Sequence, residues 1–281
     1  INNYSMSFDG ENDFINLGNS NPLFNESSEA TFSAWIKAEE NINWNAIITR
    51  WNNCGTTNYW FGLGSNGRIH FADAGICCSN TEYSVSYSNE DAYSVDGNWY
   101  YVTVVKNEFS IDYYSNGVSV GSAISSVATI SDNDLDENLV IGAKNNGTTC
   151  GNIVNPDFFD GNIAEVQIWN IALSSSEIQQ YMSCSPIGDD EGLVGYWNFE
   201  EGSNEGQVLD VSPNGNNGTI NGANYNEDVP EQNCSNNSTI LEIEGFSYEG
   251  SLNGSNYYLS ETYAIWTEAN EICNSLGGHL V

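Results

Sequence analysis

Positive charge is what this sequence has least of: five Lys and Arg stand against 38 Asp and Glu, for a formal net charge of −33. Nucleic-acid affinity comes from cations that displace counterions from phosphate, and Lys37, Arg50, Arg68, Lys106 and Lys144 cannot supply it. Nucleic acid and anionic membrane surfaces are therefore excluded as partners. No apolar run approaches the roughly 18 to 20 residues that span a bilayer, so this stretch has no direct membrane insertion. Histidine is nearly absent, at two residues, and the seven cysteines contain no CxxC pair, which argues against zinc and for disulfides in an oxidising exterior. The acidity suits solubility outside the cell, where salt screens self-repulsion within about 8 Å.

Hydrophobic residues make up 40% of the 281, with 8 Trp and 16 Tyr, enough for a sizeable core and more than one domain. Strand signals dominate. Thr31 to Ala38 sets Phe32, Ala34 and Ile36 against Ser33, Trp35 and Lys37, and Trp99 to Val105 alternates in the same way. Asn66-Gly67 and Asn116-Gly117 separate strand pairs and predict two hairpins. In Gly161 to Ile178, Ile163, Glu165 and Gln167 alternate with Ala164, Val166 and Ile168, and then Ser174 and Glu177 supply a capping box for a short helix. The expected fold is all-β, an antiparallel two-sheet sandwich, with helix scarce before residue 266.

Gly161 to Ile178 resembles the closing strand and helix of laminin-G-like and pentraxin-like (concanavalin A-like) jelly rolls. Three further stretches match that family in order: Ser7-Phe8-Asp9-Gly10 with Asp13-Phe14-Ile15, then Thr31 to Lys37, then Asp96 to Val105. The resemblance covers about residues 1 to 183 and implies a jelly roll with one short helix. Gly192 to Asn224 is similar to the family's opening strands, yet here it follows the helix. We expect it to return to the same sandwich, because it cannot bury both faces of Tyr196-Trp197-Asn198-Phe199 alone. A Cys184 to Cys234 bridge would clamp its ends. Trp266 to Val281 resembles the first helix and following strand of a C-type lectin-like domain, a partial α+β segment in which Cys273 would pair outside the given chain.

The expected organisation is a jelly roll over 1–230 that includes the returning segment 192–226, a linker over 231–244, and the N-terminal part of the C-type lectin-like domain over 245–281. The chain starts at Ile1 and stops inside that last piece, so any signal or anchor is expected elsewhere.

For catalysis, glucanases of this general class use paired carboxylates on an ExDxE strand, and no such motif occurs. His70 and His279 sit in no nucleophile motif and read as structural. Calcium is the expected cofactor, in a structural role, with Asp210, Asn214 and Asn216 approaching Asp9 and Glu165 if the late segment returns. The loop around Lys144, Asn145 and Asn146 aligns by resemblance with the acidic ligand-calcium loop of pentraxins but lacks its acids. It reads instead as a polar rim. Cys54, Cys77, Cys78 and Cys150 lie between strands and could tie loops together, and Trp51, Asn52, Asn53, Asn58, Tyr59, Trp60, Asn145 and Asn146 would then offer aromatic platforms beside amides, as sugars require.

These readings point to a non-catalytic binding or adhesion module at the cell surface or outside the cell. Its expected partners are glycans or neighbouring surface proteins, with self-association as a further expectation. The alternatives are a structural spacer that assembles without a soluble ligand and, last, a glycan-active enzyme component.

Overall fold

The computed structural model describes residues 2–19, 22–40, 45–51, 59–64, 66–73, 84–130, 137–144, 157–202, 206–234, 246–252 and 255–260. The chain divides into two compact units, residues 1–233 and 234–281.

In the first unit the chain runs through β1 (Ser5–Asp9), β2 (Phe14–Gly18), β3 (Glu29–Ala38), β4 (Asn45–Arg50), β5 (Tyr59–Leu63), β6 (Ile69–Asp73) and β7 (Ser84–Tyr87). It continues through β8 (Tyr100–Asn107), β9 (Ser110–Ser115), β10 (Val118–Ile124), β11 (Leu139–Ile141), β12 (Ala143–Lys144), β13 (Asp157–Phe158) and β14 (Asp160–Trp169). After α1 (Ser175–Ser183) come β15 (Leu193–Trp197), β16 (Gln207–Val208), β17 (Gly218–Asn221) and β18 (Asn224–Asn226). The front sheet has the order β10-β9-β8-β3-β14-β1-β18, with β15 also on β14, and the back sheet has the order β16-β17-β2-β11-β4-β5-β6-β7. All these pairings are antiparallel, and the two sheets form the expected jelly-roll sandwich with one short helix among the described residues.

Local chemistry explains the junctions. Asn116 and Gly117 take φ of 49° and 71°, the left-handed pair that a type I′ hairpin needs between β9 and β10. Ser174 caps α1: its hydroxyl accepts from the Glu177 amide while the Glu177 carboxylate accepts from the Ser174 amide, a closed capping box.

The core between the sheets is aromatic and aliphatic, with Phe32 within 5.1 to 6.2 Å, ring to ring, of Phe24, Tyr59, Phe61 and Phe71. At one margin Lys106 of the front sheet meets Asp73 of the back sheet at 2.6 Å with both side chains shut from solvent. Lys106 also donates to the Glu108 and Val127 carbonyls, so the ammonium is fully satisfied. A pair so deeply desolvated specifies which residues face each other more than it adds stability.

The central strands β3, β8, β14 and β15 of the front sheet are buried on both faces. Phe32, Ala34 and Ile36 face the main core, while Trp35, Tyr101, Trp169 and Tyr196 face a second cluster with Ile178, Tyr181 and Met182 of α1. The residues from 192 to 226 contribute to both layers and both sheets, since β15 joins β14, β18 joins β1, and β17 joins β2. Cys184 and Cys234 form the single disulfide among the described residues.

One expectation is corrected within β14. Uniform alternation would put Ile163 opposite to Val166 and Ile168, yet all three lie in the main core. The register against β3 slips between Ala164 and Gln167, because Glu165 takes φ of 54° and inserts a bulge that changes the phase.

In the second unit, β19 (Phe246–Leu252) and β20 (Ser255–Ser260) pair as an antiparallel hairpin with a register shift between Tyr248 and Gly250. The predicted C-type lectin-like helix and strand, with Cys273 and His279, lie outside the described residues.

Candidate functional site

Alternation along the back sheet sends Tyr59, Phe61, Ile69 and Phe71 into the core and turns Trp60, His70 and Ala72 outward. Tyr87 of β7 lies directly opposite His70 on this outer face. The rings make a ladder: Trp60 to His70 is 5.5 Å at 81°, and His70 to Tyr87 is 4.2 Å at 80°. Trp60 and His70 are buried and Tyr87 is 41% exposed, so the ladder runs from a shielded interior out to solvent. At its inner end Lys144 places Nζ 5.5 Å from the Trp60 ring and 3.5 Å from Asp157 Oδ2. A cation over an indole face is attracted by the ring quadrupole.

Electrostatics fit a recognition surface. Burial pushes the His70 pKa down to about 4, with the nearby Arg68 charge adding to the effect, so the imidazole is neutral at pH 7. Burial also lowers Lys144, opposed by Asp157. The exposed Tyr87 end of this neutral row offers an aromatic surface of the kind that packs on a sugar ring.

The expected ligand residues are distributed unevenly about this row. Trp60 lies within it, and Trp51 is 6% exposed in the same small outer cluster with Ala46, Trp60 and Ala72. Tyr59 is placed on the other side of the sheet, its ring against Phe24 and Phe32 in the core, so it offers no outward platform. Asn52, Asn53, Asn58, Asn145 and Asn146 lie outside the described residues, as do Cys54, Cys77, Cys78 and Cys150. Tyr87, Arg68 and Lys144 were not on the sequence-based list of ligand contacts, and His70 was read as structural. Their adjacency depends on the pairing of β6 with β7, and residues 74–83 intervene without any turn signature that specifies that register.

The residues expected around calcium have the following surroundings. Among the described residues no three of His, Cys, Asp and Glu gather as metal ligands. Asp210 Oδ1 accepts from the Tyr196 and Ser212 amides and Oδ2 from the Asn216 amide, so backbone donors occupy the carboxylate. Asn214 Nδ2 donates to the Val194 carbonyl, and the Asn216 carbonyl accepts from Trp197 Nε1. Asp9 stands opposite Asp160, five residues along β14 from Glu165, and its Oδ1 accepts from the Glu11 and Asn12 amides. These hydrogen bonds give the Gly/Asn turn its shape.

Glu165 has a separate environment. It is 2% exposed in the layer beneath α1, where Tyr196 Oη donates to its Oε2 at 2.6 Å. Burial lifts its pKa to about 7, with Ser185 and Tyr196 hydrogen bonds opposing the rise. Around it Tyr101 donates to Gln167 and Thr103 to Ser33, giving a wholly buried polar strip between sheet and helix.

Several solved structures are similar to this chain. A protein of Bacteroides ovatus ATCC 8483 to which carbohydrate binding is ascribed is 19% identical at a TM-score of 0.58, over 81% of this chain and 61% of that one. The chain thus spans about three fifths of that protein's length. A heptameric SAP-like pentraxin from Limulus polyphemus is 16% identical at a TM-score of 0.44, over 65% of this chain and 83% of its own. The carbohydrate-binding domain CBM40 of the Ruminococcus gnavus IT-sialidase, bound to α2,3 sialyllactose, is 12% identical at 0.43, over 56% of this chain and 84% of its own. No curated protein matches the sequence. With the two-sheet sandwich, its single capped helix and a match over residues 9–179 to the family described as the concanavalin A-like lectin/glucanases superfamily, the chain belongs to that family.

Proposed function

We propose that this chain carries a non-catalytic glycan-binding module that works outside the cell or at its surface. The observation that carries the reading is the ring ladder Trp60–His70–Tyr87 on the outer face of the back sheet, open to solvent at Tyr87. An exposed aromatic ring held in place by buried rings, with polar groups nearby, binds saccharides through their apolar ring faces and hydroxyls together. Membership of a lectin-containing superfamily and the carbohydrate binding ascribed to a fold relative agree with it. The disulfide agrees with an oxidising compartment. Neighbouring surface proteins are a second class of partner for such a module, as sources of glycan.

The test is a glycan array probed with the whole chain, repeated with Tyr87→Ala and with a calcium chelator. Tyr87 is chosen because its exposure lets it be removed without opening the core. We expect at least one glycan class above background and about tenfold weaker binding by the variant. Loss of binding on chelation would give calcium a part in it. An array with no glycan above background would overturn the reading.

A further inference from the structure

The chain has five cations against 38 acids, so an unpaired cation is unexpected in it. Lys37 is held by Asp228 at 2.6 Å, Lys106 by Asp73 at 2.6 Å and Lys144 by Asp157 at 3.5 Å, while Arg50 is buried. Arg68 differs. Its guanidinium has no carboxylate and no hydrogen-bond acceptor among the described residues, and its Nε is turned away from solvent without a partner. The residue is half-buried, and its backbone is fixed at the entry to β6, where its carbonyl accepts from the Gly64 amide at 2.9 Å. Strand alternation puts Arg68 on the same face as His70, two residues on, and therefore beside the ring ladder.

We propose that Arg68 receives the anionic group of an acidic saccharide whose ring packs on the exposed Tyr87 end of the Trp60–His70–Tyr87 ladder. The inference rests on the glycan reading of this face and narrows its ligand to sugars bearing a carboxylate or a sulfate ester. A guanidinium presents a planar fork of donors that matches either group, and buried donors left unpaired select for the ligand that satisfies them. The net charge of −33 does not prevent this. At physiological ionic strength charges more than about 8 Å away are largely screened, so the bulk of the acids does not set the field at Arg68. The neutral His70 adds no competing charge, and Arg68 depresses its pKa, which places the two side chains within electrostatic reach.

The experiment measures binding of the whole chain, by titration calorimetry, to three probes: a neutral gluco-oligosaccharide, a uronic-acid oligosaccharide and a sulfated oligosaccharide. Wild type should prefer at least one acidic probe over the neutral one by about tenfold or more, with affinity falling as salt rises. Arg68→Gln should abolish that preference, and Arg68→Lys should keep only part of it because the fork is lost. Unchanged thermal melting of both variants is expected, since Arg68 gives up no protein contact. Separately, the His70 pKa read by NMR should rise in Arg68→Gln. Equal binding of neutral and acidic probes, or an acidic preference that survives Arg68→Gln, overturns the inference and leaves the glycan reading standing. Absence of binding to any saccharide, here and on the array, overturns both. The two acidic arms tell carboxylate from sulfate.

Discussion

Glu165 concentrates in one residue the cost of building this sandwich. A non-glycine residue at φ of 54° is strained, of order 1 to 3 kcal/mol, and its carboxyl is enclosed as well. Its pKa of about 7 lies above the ordinary value of 4.5, so the folded protein holds a proton that the unfolded chain releases. Stability is therefore fullest below about pH 4.5, falls as pH rises towards 7, and levels off above that, a loss of roughly 3 kcal/mol for this group. Glu165→Gln keeps a neutral partner for Tyr196. Urea melts should find it close to wild type at pH 4.5 and more stable at pH 8; a wild-type curve with the same pH slope as the variant would refute the assignment. Nothing in the local sequence announces this environment, because Glu165 reads as an ordinary outward residue until the bulge is seen.

At the scale of elements, α1 is the piece most fully legible beforehand. Ser174 and Glu177 are spaced for a reciprocal cap, and both halves of that cap form. The helix covers the outer face of the front sheet through Ile178, Tyr181 and Met182. Ser174→Ala should cost about 1 kcal/mol of stability in denaturant melts and leave the far-UV strand signal unchanged. A loss well under a few tenths would mean that tertiary packing alone holds the helix start. Strand β3 is equally legible in its alternation, but alternation alone does not show that both of its faces are covered. Trp35 is buried under the helix layer, and a two-layer sandwich viewed one strand at a time gives no sign of a third layer. Tyr59 and Trp60 show the same limit. Adjacent residues in a strand must face opposite sides, yet which one faces inward is set by the partner strands.

For the whole molecule, the late segment is integral to the fold. Val194 and Trp197 enter the main core while Leu193 and Tyr196 enter the helix-side layer, so β15 ties the two together. A chain ending at Ser183 should lose fixed near-UV signals and bind a hydrophobic dye, since it would bare β14 and the β2 edge where β17 pairs. Reducing Cys184–Cys234 is the milder change. It removes a loop constraint worth about 4 kcal/mol in the chain-entropy account and should lower the melting temperature while the sandwich persists. A truncated chain that retained native near-UV signals would show the returning strands to be dispensable.

The all-β class, the hairpin at Asn116-Gly117 and the capped helix were set by the local sequence, because each follows from periodicity or turn chemistry. Only the packed sandwich settled the bulge at Glu165, the burial of both faces of the central front strands, and the meeting of His70 and Tyr87. These depend on strand register between segments far apart in the chain. A one-residue slip would reverse every side chain, and only the packed core selects the register.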